Sequence, residues 1–102
     1  MPDTIEEQAK ALASYLGDGW EPRVWGEDLP IEFEARKGCL SVYPQYDENG
    51  VEIYTAIIAA PGIIPTVQMA TRRDPDARVA VTKIVAVLDA YIASLQRIRE
   101  GL

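Results

Sequence analysis

The chain contains no histidine and only one cysteine, Cys39. Without histidine, Ser–His and Cys–His nucleophilic schemes, histidine general bases and nearly all zinc sites are excluded. A single cysteine forms neither an internal disulfide nor a thiolate metal cluster, which agrees with a reducing compartment. Walker-type and dinucleotide-type glycine motifs are missing too. The sequence therefore predicts a non-enzymatic protein with no catalytic residues, no cofactor and no metal.

Long apolar runs are also missing. No stretch of eighteen apolar residues occurs, and the first ten residues are acidic where a secretory signal would be basic and then apolar. We therefore expect a cytoplasmic protein without membrane contact. With 102 residues, of which 48% are hydrophobic, the chain has material for one core, and we expect a single domain over residues 1–102.

Basic residues are scarce, ten against sixteen acidic ones, for a net charge of −6. The excess lies in residues 1–34, which hold nine acids and two bases. Because nucleic-acid binding needs cationic groups that displace phosphate counterions, this charge disfavours direct nucleic-acid binding. The expected partner is a protein with a basic surface.

Helical periodicity predicts a helix near the N-terminus. Thr4, followed three residues later by Glu7, forms a capping box, and apolar residues recur at helical spacing up to Leu16. Gly17 provides the stop, since glycine readily adopts the left-handed conformation that closes a helix. The first helix is therefore predicted over about residues 4–16.

A second helix is predicted in the last third of the chain. Asp74 is the expected cap, with Pro75 at the first helical position, and an apolar stripe continues through Arg99. Residues 79–87 are rich in β-branched side chains, so packing rather than propensity must hold them in a helix. Such a helix is about 35–40 Å long, longer than short strands require. We expect its end to project or to pair with a second subunit.

Alternation of apolar and polar residues predicts strands over 31–37, 39–45 and 51–58, with shorter strands at 22–25 and 66–70. The fold class is then α+β: a two-layer sandwich of helix, antiparallel meander of four or five strands and long C-terminal helix, with both helices on one sheet face. With the helices covering the side of Phe33, Val42 and Ile53, the opposite, open face is predicted to carry Glu32, Glu34, Ser41, Tyr43, Glu52 and Tyr54.

Both tryptophans lie in the connector "LGDGWEPRVWGEDLP", residues 16–30, among four acids. We expect Trp20 to plug the sheet end beneath the first helix, and one of Val24 and Trp25 to face the core. Aromatic anchors supply binding energy, and acids steer a basic partner. The predicted partner-binding residues are Asp18, Trp20, Glu21, Trp25, Glu27, Asp28, Glu32, Glu34, Tyr43, Glu52 and Tyr54.

Three smaller patterns each allow two interpretations. Glu32 and Glu34, two apart on a strand, form either an acid/base or magnesium pair or a solvated polar row. Cys39 is a reactive thiol or a small, half-buried residue. The arginines near the second helix, Arg72, Arg73 and Arg78, form an anion site or pair locally with aspartates.

The helix–meander–helix order over residues 4–100 resembles that of double-stranded-RNA-binding domains. Those domains read RNA through a lysine-rich start to the last helix, where this chain has "DPDARVAVTK". The compact acidic domain without a catalytic toolkit, and its "GWEPRVW" connector, resemble small orphan proteins of bacteriophages and mobile elements, including anti-CRISPR and other host-defence inhibitors. That resemblance implies action by binding, often by occupying a basic surface meant for nucleic acid.

Three functions follow as hypotheses. The first is a protein-binding module, a small inhibitor or adaptor that occupies a basic surface of a larger, nucleic-acid-handling partner. The second is a self-associating structural or accessory protein, a homodimer formed through the long C-terminal helix. A small carboxylate-based enzyme is the third, and it lacks a catalytic constellation.

Overall fold

The computed structural model describes residues 4–27, 29–60 and 67–102; the side chains of 60 and 67–69 lie outside that description, as does the predicted break at 61–65. In chain order the elements are α1 (Ile5–Leu16), β1 (Glu21–Val24), β2 (Phe33–Lys37), β3 (Leu40–Tyr46), β4 (Glu52–Ala60), β5 (Val67–Asp74) and α2 (Ala77–Glu100). The strands form one antiparallel sheet in the order β1-β2-β3-β4-β5. Both helices pack on this sheet, so the predicted α+β fold is confirmed.

The predicted limits of α1 are confirmed by its caps. The hydroxyl of Thr4 accepts a hydrogen bond from the N–H of Glu7 at 3.1 Å. Gly17 follows the last helical residue with φ of 108°, and its N–H donates to the carbonyl of Ala13. Because L-residues rarely adopt this φ, the glycine fixes where the helix ends.

The predicted start of α2 is wrong by two residues. The cap is Asp76, whose side chain accepts from the N–H of Arg78, and Asp74 is the last residue of β5, paired with Tyr54. The proline explains the shift: Pro75 disfavours the helical conformation in the residue before it, so Asp74 continues the strand. The β-branched stretch 79–87 is helical, as predicted.

The prediction of which β4 side chains face the helices is also wrong. Cross-strand partners share a face, and Ile53 pairs with Gln45 while Tyr54 pairs with Pro44. Tyr54, Ala56 and Ile58 face the helices, and Ile53 lies on the open face. The pattern of β4 is ambiguous because both of its faces carry apolar residues. Small Ala56 is what allows the helices to approach this strand closely.

The core lies between the helices and one sheet face. Six of its eleven buried residues are alanines, and the larger members are Leu12, Phe33, Val42, Ile58 and Ile84. Alanines on both helices and on the sheet bring the layers close together, so a few larger side chains fill the space. The helices leave one end of the sheet uncovered, and the candidate site lies there.

Candidate functional site

A cleft of about 800 Å³ opens between α1 and the ends of β2, β3 and β4, on the helix side of the sheet. Leu12 and Phe33 contribute apolar surface to it. The aromatic and acidic side chains that line it are Tyr15, Glu32, Tyr46, Glu52 and Tyr54. Three of the predicted partner-binding residues, Glu32, Glu52 and Tyr54, thus meet here rather than on the open face.

Pro44 explains why the cleft lies at this end of the sheet. The pairing of β2 with β3 runs only as far as Ala35 and Val42, while β3 continues along β4 through Pro44 and Tyr46. Proline has no N–H to donate to a second neighbouring strand. The two strands separate there, and the cleft-lining residues of β3 and β4 are left open on one side.

Two tyrosine hydroxyls of the cleft, those of Tyr15 and Tyr54, donate hydrogen bonds to carboxylates. Tyr54 donates to Oε1 of Glu52 at 2.9 Å, and burial, followed by this hydrogen bond, raises the pKa of Tyr54 to about 12. Tyr15 donates to Oδ1 of Asp76 at 2.9 Å, and that hydrogen bond is the main reason that its pKa is raised. Both phenols therefore stay neutral at physiological pH, and the charge of the cleft comes from its carboxylates.

The charge of the cleft is negative. Glu32 and Glu52 are exposed, and neither forms an ion pair within the described residues. None of the described lining residues is Lys or Arg. Arg78 lies nearby but is already engaged: its guanidinium stacks 4.3 Å from the Tyr15 ring centroid, and its Nε donates to the Tyr15 carbonyl. The cleft therefore suits a cationic group, which tyrosine faces and carboxylates both attract.

The open face differs from the predicted acidic and aromatic surface. Glu52 and Tyr54 are on the helix side, as described, and Glu34 and Tyr43 are only 5% and 8% exposed. Ser41 donates to Oε2 of Glu34 at 2.5 Å, and Nη2 of Arg36 lies 3.1 Å from Oε1 of the same carboxylate. Glu34 is therefore an internally paired carboxylate with little surface for a partner.

Basic residues dilute the charge of the open face further. By register, Arg23 lies opposite Glu34, Glu21 opposite Arg36, and Arg73 opposite Thr55. Because cross-strand partners share a face, three arginines and two glutamates stand together there. The surface is mixed in charge, and the acidic character sits in the cleft and the connector.

The two tryptophans of the connector differ in how far they are buried. Trp20 is half-buried against the core, beneath α1, as predicted. Val24 pairs with Phe33 and so lies on the core side of the sheet, as expected, although it is 41% exposed at the sheet edge; Trp25 is 53% exposed. Asp18, Glu21 and Glu27 are exposed, and Asp28 lies outside the described residues. Trp25 is thus the aromatic residue of this segment that a partner can reach.

The residues of the three smaller patterns lie in different surroundings. Glu34 is not among the residues that line the cleft with Glu32, and no group of three or more potential metal ligands occurs in the described residues. Cys39 is half-buried beside the core. Alternation along β5 puts Arg72 and Arg73 on opposite faces, while Arg78 binds Tyr15, so the arginines form no common site.

The second half of α2 projects from the body. Its first half buries Ala77, Ala80 and Ile84, but every residue from 89 to 102 is exposed. The molecule measures 53 × 29 × 28 Å as a result. By length and composition α2 is apolar enough to cross a membrane. The part beyond Leu88 is only about 20 Å long, shorter than the ~30 Å hydrocarbon layer. Of the most apolar eighteen-residue window of α2, 11% is buried inside the fold.

Among the cleft residues that sequence reasoning did not assign to a binding site are Tyr15, Pro44 and Tyr46. Tyr15 and Tyr46 lie next to the ends of a helix and a strand, where alternation assigns no face. Pro44 inside a strand was the available signal, since a proline within a central strand marks a place where pairing ends.

Comparison of the chain with protein-family models, with curated proteins and with solved structures found no match.

Proposed function

We propose that the protein is a non-enzymatic protein-binding module whose cleft takes a basic segment of a partner protein. The observation that carries this proposal is the lining of the cleft: tyrosines and carboxylates that form no ion pair within the described residues, with no cationic side chain among the described lining residues. An Arg or Lys of the partner would stack on Tyr46, which is 72% exposed, and pair with Glu32 or Glu52.

The neighbouring surface supports a larger footprint. Exposed acids of the connector, Asp18, Glu21 and Glu27, extend the negative field and would increase the association rate with a basic partner. Trp25 adds an accessible aromatic anchor. Together with the resemblance to small phage proteins, this charge supports a narrower proposal: an inhibitor or adaptor that occupies the basic surface of a nucleic-acid-handling protein in the cytoplasm.

The test is the binding of a labelled arginine-rich peptide, followed by fluorescence anisotropy at low and at physiological salt. The double variant E32K/E52K should weaken binding at least tenfold, because it replaces both cleft carboxylates. E6K/E100K is the matched control, with the same change in net charge at two exposed positions outside the cleft, and it should bind nearly as wild type.

If both double variants bound the peptide with equally weakened affinity, the overall charge of the protein would explain the loss. That result would contradict a cleft-specific site. Failure of the wild-type chain to bind the peptide even at low salt would also contradict it. A glutamate-rich peptide of equal length and a duplex RNA should not bind, since both are anionic.

A further inference from the structure

The projecting half of α2 carries an unpartnered apolar seam. Its members are 43% to 61% exposed, apart from the fully exposed last residue: Tyr91, Ile92, Leu95, Ile98 and Leu102. Their apolar surface is on the order of 500 Å² per copy, near the upper end of the ~300–600 Å² patches that monomers leave open. This seam lies far from the cleft, because α2 begins beside Tyr15 and extends away from it.

The spacing of the seam is that of a helix-pairing surface. Apolar residues at 81, 84, 88, 91, 95, 98 and 102 are separated by three and four residues in strict alternation. A repeat of seven residues keeps one stripe facing a second helix along its whole length. The first positions, 81, 84 and 88, pack against the core of the same chain, whereas 91, 95, 98 and 102 are exposed.

The projecting turns of the helix would gain stability from such a partner. Every residue from 89 to 100 is exposed, so tertiary packing contributes little to these three turns, and most helical stability in proteins comes from packing. Tyr91, Ile92 and Ile98 lower the intrinsic propensity further. Burial of the seam against another helix would supply the missing stabilisation.

We propose that a second copy of this chain occupies the seam, with the two α2 helices antiparallel over residues 88–100. In this register Leu88 faces Ile98 of the second copy, and Tyr91 faces Leu95 of the second copy. All four positions belong to the heptad seam, so the pairing is self-complementary and closes as a two-fold dimer.

The sheet excludes the parallel alternative. The face that forms the seam is the same face that packs Ile84 on the sheet one turn earlier. In a parallel pair, the two sheets would both have to lie between the helices at the same level. In an antiparallel pair the bodies lie at opposite ends, and only the last turn of each helix approaches the sheet of the other copy.

Charge favours the same orientation. Asp89 stands near the beginning of the projecting segment, and Arg97 and Arg99 near its end. In the antiparallel register Asp89 lies at the level of Arg97 of the second copy, whereas a parallel pair would put like charges at the same level; because these side chains lie outside the seam, this is a long-range effect. The two seams together would bury about 1,000 Å², the size that a specific interface needs.

The mass of the full chain, measured by light scattering and sedimentation over a range of concentrations, tests the proposal. Wild type should be a dimer. L95E, which puts a charge in the seam, should weaken dimerisation at least a hundredfold. A93E adds the same charge on the far side of the helix and should remain a dimer. Far-ultraviolet circular dichroism and thermal unfolding check that both variants fold.

Cross-linking tests the orientation. In a C39S background, L88C/I98C should form a covalent dimer on oxidation, because these positions face one another only in the antiparallel pair. L88C alone should not cross-link, and a covalent dimer from it would indicate a parallel pair and overturn the proposal. A wild-type monomer at the highest soluble concentration, or association of the seam with phospholipid vesicles instead, would overturn it as well.

The dimer and the cleft can fail independently. E32K/E52K should leave the mass unchanged, and L95E should leave peptide binding unchanged, since the two surfaces lie near opposite ends of α2.

Discussion

At the scale of single residues, Glu34 illustrates how burial changes the meaning of a charge. Its carboxylate is covered on a sheet face that no helix packs against, and it is held by Ser41 and Arg36. The pairing of the strands explains part of the burial of Glu34. Its partner Ser41 is small and lies between the longer side chains of Arg36 and Ile57 on the two neighbouring strands. A surface glutamate would steer a partner, but this one organises the sheet.

We expect E34A to lower the free energy of unfolding by about 1–3 kcal/mol, because it leaves the buried Ser41 hydroxyl without a partner. E34Q should cost less, since its amide oxygen can face Arg36 while its NH₂ group donates to Ser41. Urea unfolding measures both. E27A, at an exposed position, is the control and should change stability by less than about 0.5 kcal/mol. A cost for E34A as small as that of E27A would contradict a structural role.

At the scale of elements, the junction of α1 with α2 depends on one side chain. Asp76 caps α2 through the N–H of Arg78 and also accepts the hydroxyl of Tyr15, both at 2.9 Å. Arg78 then returns to α1 by donating to the Tyr15 carbonyl. The cleft wall that α1 provides is therefore positioned by the first turn of α2.

We expect D76A to lower the free energy of unfolding by about 1–2 kcal/mol, because an N-cap acceptor is lost. D76N keeps an acceptor for both donors and should cost clearly less. Thermal unfolding compares the two variants, and Y15F separates the cap from the inter-helix bond, since it removes only the latter. If D76N were as damaging as D76A, charge rather than capping would be the cause.

At the scale of the whole molecule, three tyrosines each make the stability of the fold depend on pH, and all three act in the same direction. The pKa values of all three lie above the ordinary 10.0. The hydrogen bond to Asp76 is the main cause for Tyr15, burial is the main cause for Tyr43, and burial followed by the hydrogen bond to Glu52 raises the pKa of Tyr54 to about 12. A group whose pKa is higher in the folded than in the unfolded protein stabilises the folded state. The stabilisation is complete at pH values at which the group is protonated in both states. This stabilisation is fully present below pH ~10 and is lost as pH rises through the folded pKa.

We therefore expect the free energy of unfolding to fall between pH ~10 and ~12, and Y54F to show a smaller fall because it lacks the hydroxyl with the highest pKa. Urea unfolding at several alkaline pH values measures the fall. Spectrophotometric titration checks the cause, since Y54F should lose the tyrosine that ionises last. An identical fall in wild type and Y54F would contradict the assignment to Tyr54.

Also at this scale, the two proposed binding surfaces lie near opposite ends of α2. The acidic cleft lies beside the first turn of α2, and the apolar seam occupies its last turns. In the proposed dimer the antiparallel helices carry two bodies at opposite ends, so both clefts stay open. A partner with two basic sites at suitable spacing would then bind more tightly than its single sites do.

Local sequence signals determined the elements. Thr4, Gly17, the strand alternation and the apolar stripe of α2 specify helix–meander–helix because each acts within a few residues. The sequence also predicted acidic residues in the connector, and those that the structure describes are exposed. The sequence could not assign a face to β4, because Ile53 and Tyr54 are both apolar enough to be buried. Packing against the alanine-rich helices decided between them.

The site was decided by tertiary structure. The absence of histidine and the negative charge already excluded most chemistry and pointed to a basic partner, and this depends on composition alone. Where the acids and tyrosines meet depends on the point at which β2 and β3 separate, on the reach of α1 and on the phase of β4. Those are long-range relations among residues more than sixty positions apart in the case of Tyr15 and Asp76, and no local pattern specifies them.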